Sequence, residues 1–147
     1  MLNPQLVYLV QTETTVGFLS QDAEKLSDSK ERDKKQPFIR CVDSLSTLKK
    51  FSRVPKKFKN KIRRSQKITF IYPNNQAIRL VKDSEHLKFL KQLQWAYSSS
   101  ANLTKKNFDE SYAKKKADII VEDKRGFFEG KPSSIIKFNN KKLKKLR

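Results

Sequence analysis

Short apolar runs recur along this chain, each too brief for an ordinary helix, with polar stretches of helical spacing between them. LVYLV at 6–10, PFIRCV at 37–42, ITFIY at 68–72, AIRLV at 77–81, ADIIV at 117–121 and Ile135 to Phe138 are rich in β-branched or aromatic residues, the composition of strands. Gln94 to Tyr97 reads as a further apolar-aromatic strand. Helices are expected over Ala23 to Ser27 behind a Ser20 or Asp22 cap, and from an Asp43 or Ser44 cap to about Phe51. Another starts at Val54-Pro55, another runs from Glu85 to Leu93 behind Ser84, and one runs from Asn107 or Asp109 to about Lys116. Pro73-Asn74-Asn75 is a turn by composition and joins its flanking strands as an antiparallel hairpin. Strands alternating with helices, with one hairpin among them, predict an α/β (α+β) single domain: a twisted mixed sheet flanked by helices, with ligands at strand ends.

The 147 residues suit one domain, read as 1–138 with a basic, frayed tail at 139–147. Net charge is +19, from 34 Lys and Arg against 15 Asp and Glu, a field that favours polyanions. No acidic residue occurs from Ser44 to Lys82, while Lys49, Lys50, Arg53, Lys56, Lys57 and Lys59 open a run of cations that continues to Lys67. That run is a solvated face or an RNA-facing one. No apolar run approaches a membrane span, and the first residues lack the pattern of a signal peptide. One cysteine (Cys41, read as a small buried filler) excludes an internal disulfide and a cysteine zinc cage. A reducing cytoplasm is the expectation. The one histidine, His86, is expected to be exposed and receives no role, and no metal-ligating residues are assigned. Three glycines cannot write either Gly-rich phosphate loop, so side chains and loop amides must hold any nucleotide.

Candidate chemistry lies in separated stretches. In Ser29 to Pro37 (SKERDKKQP), Lys30 and Arg32 stand two apart. In an extended segment they share one face, a fork beside a point charge, which suits polyphosphate. A solvated loop is the plain alternative. Thr12, Thr14 and Thr15 cluster at a strand end, as ligand contacts or as a capping turn. Arg79 lies mid-strand, on a solvent face or aimed at an anion. Ser98, Ser99, Ser100 and Asn102 form a patch of small polar groups.

The order of these pieces resembles the YrdC-like domain family, the threonylcarbamoyl-AMP synthases. QTETTVGF is similar to that family's P-T-E/D-T-V-Y-G-L, and Lys30-Glu31-Arg32 with Gln36-Pro37-Phe38-Ile39 to its K-G-R-P-x-x-N/K-P-L-I. Ala77-Ile78-Arg79-Leu80 resembles V-x-V-R-x-P, Ser99 to Leu103 resembles T-S-A-N-L-S, and Gly130 to Ile136 resembles x-x-P-S-T-I/V-V. The resemblance covers nearly the whole chain. It implies a YrdC-like fold with a basic concave face. It also implies an L-threonylcarbamoyladenylate synthase that joins L-threonine, bicarbonate and ATP, releases pyrophosphate, and serves tRNA threonylcarbamoyladenosine modification through tRNA threonylcarbamoyl-transfer proteins. Lys30, Arg32, Ser100 and Asn102 would be catalytic. Lys30, Arg32, Gln36, Asn75 and Asn102 would lie by ATP, and Thr14, Arg79, Ser100 and Ser133 by threonine. Mg²⁺ is expected with ATP, held largely by phosphates and water.

The chain departs from the pattern at named positions. Val16 replaces the family Tyr, Glu31 the Gly within K-G-R, Asp33 the following Pro and Cys41 the strand His, and the P-G-P-L-T before Ile68-Thr69-Phe70 is missing. The alternative reading is therefore a catalytically reduced YrdC-like module that binds double-stranded or structured RNA. A basic ribosome-associated structural protein explains the composition but not the ordered motifs.

Overall fold

The computed structural model describes residues 2–30, 38–101, 107–139 and 141–147; at Lys30 it describes the backbone alone. The strands are β1 (Tyr8–Gln11), β2 (Val16–Ser20), β3 (Ile39–Val42), β4 (Ile68–Ile71), β5 (Ala77–Leu80), β6 (Trp95–Ser100), β7 (Ile119–Val121), β8 (Ser134–Phe138) and β9 (Leu143–Lys145). The helices are α1 (Ala23–Lys30), α2 (Leu45–Leu48), α3 (Lys59–Arg64, entered through a 3-10 turn at Lys56–Phe58), α4 (Ser84–Leu90) and α5 (Glu110–Lys116).

The described strands form one mixed sheet in the order β7-β1-β2-β6-β3-β5-β4-β8-β9. β1 pairs β7 in parallel, as β3 pairs β5 and β4 pairs β8. The remaining neighbours run antiparallel, including the β4–β5 hairpin expected at Pro73-Asn74-Asn75. Asn75 takes a φ of 65° there, a conformation asparagine tolerates well.

Alternation along each strand sorts the layers. Val42, Ile78 and Leu80 face α2 and α3, packing on Leu48, Phe58 and Ile62. Leu9 and Phe18 face α1 and α5 through Leu26 and Ala113. Tyr8, Leu19, Cys41 and Ala96 point the other way, onto Phe89 and Leu90 of α4. One side of the sheet is thus covered by four helices. The opposite side carries α4 and leaves room beside it.

Several expectations change. VGFLS at 16–20 is a central strand, fully buried on both faces, and is not among the apolar runs named above. α1 extends beyond Ser27 to Lys30, so Lys30 ends a helix instead of opening an extended segment. Asp83, not Ser84, caps α4 by accepting from the His86 amide. His86 is not exposed: it is 0% accessible, because that face of α4 turns inward. β6 carries Ser98 to Ser100 within the strand. The tail read as frayed contains β9, whose Leu143 pairs with Phe138 of β8.

Candidate active site

On the α4 side of the sheet a cavity of about 300 Å³ opens beneath the β1–β2 turn. Thr12 shapes that turn. Its hydroxyl donates to the Thr15 carbonyl at 2.6 Å and accepts the amides of Thr14 and Thr15 at 3.2 and 3.3 Å, a side-chain-closed turn. Thr14 is thereby held over β5. Gly17 in β2 allows the turn to lie close to β6, since a Cβ there would stand 3.2 Å from the Ser99 carbonyl oxygen.

Arg79 reaches the same space from β5, because odd positions of that strand face away from α2 and α3. It is 4% exposed. Nη1 donates to Thr14 Oγ1 at 3.2 Å, Nη2 contacts Cys41 Sγ at 3.6 Å, and Nε lies 3.7 Å from Glu13 Oε1, an ion contact longer than a hydrogen bond. Burial pushes the Glu13 carboxyl above its ordinary range. Arg79 opposes that shift, as do the backbone amides of Lys82 and Asp83. Behind this pair, the His86 ring nitrogens have no hydrogen-bond partner among the described residues. Burial, then the Arg79 and Arg125 charges, lowers its pKa to about 3, so the ring is neutral.

β6 supplies Ser98, Ser99 and Ser100 to the cavity, and the approach to β8 supplies Pro132 and Ser133. Ser133 shares a hydrogen bond with Thr69 of β4 at 2.8 Å. Arg147 folds back across β8, donating from Nε to the Ser133 carbonyl at 2.8 Å, and its guanidinium lines the cavity.

A strap formed by residues 122–133 runs from β7 across to β8 and closes one side. Phe128 donates its amide to Gln11 Oε1 at 2.9 Å and accepts the Val16 amide at 3.3 Å. Gly130 lies so close to the turn that a Cβ there would collide with the Thr14 carbonyl. Arg125 anchors the strap through Asp83 and Asp123, at 2.9 and 2.7 Å. Beyond it a second cavity of about 710 Å³ is lined by Glu13, Lys67, Lys82, Arg125 and Lys131, and shares Thr14 and Pro132 with the first.

Thr14, Arg79, Ser100 and Ser133, drawn from four separated stretches, line one cavity. Asn75 does not line it: the residue is exposed in the β4–β5 turn. Arg32, Gln36 and Asn102 lie outside the described residues, as does the Lys30 side chain. Sequence reasoning missed Arg147, hidden in a lysine-rich tail, and the pairing of Glu13 with Arg79. The adjacency of Glu13 to Thr14 was the available signal. Among the described residues, no cluster of three or more His, Cys, Asp or Glu could hold a metal ion, and no helix is long and apolar enough to cross a membrane.

The cations from Lys49 to Arg64 stand after α2, on the 3-10 turn and on α3, across the sheet from the cavity. Lys59 is half-buried. Its pKa is lowered chiefly by Lys49, with Arg63 and Lys56 adding to the effect.

Comparison with known proteins bears on the whole chain. The fold is similar to that of P. abyssi Sua5 crystallised with L-threonine (TM-score 0.82, 17% identity, 97% of this chain and 50% of that one). It is also similar to E. coli YciO (TM-score 0.77, 16% identity, 97% and 82%). A third similar structure is full-length HypF in a phosphate- and nucleotide-bound form (TM-score 0.76, 15% identity, 97% and 26%). The chain spans about half the length of the Sua5 chains it matches, 49% and 50%. A sequence comparison with curated proteins finds no significant match. The family model Sua5_yciO_yrdC, described as Telomere recombination, matches residues 5–147, and the chain belongs to that family.

Proposed function

We propose that the chain is an L-threonylcarbamoyladenylate synthase, making threonylcarbamoyl-AMP and pyrophosphate from L-threonine, bicarbonate and ATP. The observation that carries this reading is the convergence of Thr14, Arg79, Ser100 and Ser133 on one cavity. A free amino acid presents a carboxylate, an amine and here a hydroxyl. Arg79 suits the carboxylate, because its guanidinium is already desolvated and held. The Thr14, Ser100 and Ser133 hydroxyls suit the remaining polar groups, and a cavity of about 300 Å³ suits a ligand of that size.

In the proposed reaction the threonine nitrogen bonds to the bicarbonate carbon with loss of water, giving a carbamate. A carbamate oxygen then bonds to the α-phosphorus of ATP as the bond to the β-phosphate oxygen breaks, and pyrophosphate leaves. Two anions meet, so the protein's task is to hold both and offset the charge. Arg147 adds a second guanidinium to the wall. Lys30, Arg32, Gln36, Asn75 and Asn102 remain the proposed nucleotide side. Ser100, beside the cavity, leads in sequence to Asn102, and Gln36 leads to Ile39, which also lines it. The cavity's described lining contains no carboxylate, so Mg²⁺ is assigned to the ATP phosphates and water. tRNA threonylcarbamoyl-transfer proteins would take the product. With L-threonine, bicarbonate and Mg-ATP, threonine-dependent pyrophosphate release is expected. Its absence beside an active control synthase overturns the proposal.

A second reading, a module binding double-stranded or structured RNA, is favoured by the cations clustered around Lys59, which lower its pKa. It predicts RNA binding with a steep salt slope, unaffected by Ser100→Ala.

A further inference from the structure

Glu13 and Thr14 are neighbours whose side chains go to opposite edges of one guanidinium. Thr14 takes Nη1 from the cavity side at 3.2 Å. Glu13 passes behind, 3.7 Å from Nε, and both side chains of that pair are nearly sealed from water, at 5% and 4% exposure for Arg79 and Glu13. Cys41 offers Nη2 a thiol at 3.6 Å, a weak acceptor that leaves the other Nη hydrogens open to a ligand. Thr14 and Cys41 bring no charge, so Glu13 is the anionic partner recorded for Arg79 among the described residues. The Glu13 carboxyl sits by the backbone of Lys82 and Asp83, where β5 leaves for α4, and both line the larger cavity with it. The β1–β2 turn, which sends Thr14 to the cavity side of Arg79 and Glu13 behind it, therefore sets the angle of the Arg79 fork.

We infer that Glu13 is a positioning residue: it holds the Arg79 guanidinium so that its open edge meets the carboxylate of the amino-acid substrate. The claim rests on the synthase reading for the identity of that substrate. A bidentate carboxylate contact tolerates little rotation of the fork. Removing the charge behind the fork costs orientation before it costs fold. Glu13→Gln keeps the shape and one acceptor oxygen. Glu13→Asp keeps the charge on a shorter arm and serves if the amide variant folds poorly.

The test uses the full chain in two arms. In the first, the Arg79 Nε–H resonance is followed by ¹⁵N NMR in wild type and Glu13→Gln. The second measures KM for L-threonine and for ATP in both proteins, with direct titration of L-threonine alongside. The expected result is a moved or exchange-broadened Nε–H signal and a threonine KM raised about tenfold. The ATP KM stays unchanged, a split that a general loss of packing would not produce. An unmoved Nε–H signal overturns the inference whatever the activity. A moved signal with unaltered threonine KM overturns its substrate half. If the wild type neither binds threonine nor turns it over, the synthase reading and that substrate half fall together, while the NMR arm still decides whether Glu13 holds Arg79.

Discussion

The two faces of the sheet treat positive charge in opposite ways. On the cavity face Arg79 is 4% exposed, hydrogen-bonded to Thr14 and flanked by Glu13 and Cys41. On the helical face Lys49, Lys56 and Arg63 stand in solvent around Lys59 and lower its pKa, Lys49 most strongly. A guanidinium desolvated and oriented during folding can meet one ligand oxygen pair without further rearrangement. A crowd of solvated ammonium groups instead makes a field that any polyanion feels and that salt screens. The number of cations therefore does not single out a ligand cavity in this chain; the partners of each cation do.

The sharpest way to break this contrast is Arg79→Ala. It leaves the Glu13 carboxyl buried without its counter-charge, and about 3 to 5 kcal/mol of unfolding free energy should disappear. Chemical denaturation reads the loss. Adding Glu13→Gln should restore much of the stability, while titration shows no return of threonine binding. Gly130→Ala comes next. Its Cβ collides with the Thr14 carbonyl, so the strap must shift, at about 2 kcal/mol, with threonine affinity falling and RNA affinity unchanged.

His86 gives a pH signature to the cavity face alone. Its pKa is near 6.5 unfolded and about 3 folded. Between those values the unfolded chain binds the extra proton, so stability falls as pH falls. The slope attributable to His86 is up to about 1.4 kcal/mol per pH unit. His86→Leu should flatten this slope from about pH 6 to about pH 4 in denaturation series. The smallest effect belongs to the helical face. Replacing Lys49, Lys56, Lys59 and Arg63 by Gln should change stability by no more than about 0.5 kcal/mol per site and leave pyrophosphate release intact. If those cations bind RNA, its affinity and salt slope both drop, as nitrocellulose binding at several salt concentrations would show.

Much of the layout was legible in the chain. The β4–β5 hairpin follows from Pro73-Asn74-Asn75 between two β-branched runs, and the α4 stripe from the spacing of Phe89 and Leu90. β2 was not legible. VGFLS begins beside a polar turn and contains a glycine, and its strand character comes from pairing with β1 and β6. The inward turn of His86 follows from how α4 packs, its Phe89 and Leu90 seated on Tyr8, Leu19 and Ala96 of other elements. Ordered motifs single out Thr14, Arg79, Ser100 and Ser133, which line one cavity. Arg147 was hidden because a lysine-rich terminus carries no local sign that it will add a strand beside β8.

The most direct test of the account is a crystal structure of the chain grown with L-threonine and a non-hydrolysable ATP analogue. The account predicts threonine beneath the β1–β2 turn, its carboxylate within hydrogen-bond distance of the Arg79 guanidinium and its polar groups facing Thr14 and Ser133. Threonine seated against α2 and α3, or in the larger cavity beyond the strap with Arg79 still turned only to Thr14 and Glu13, would contradict it.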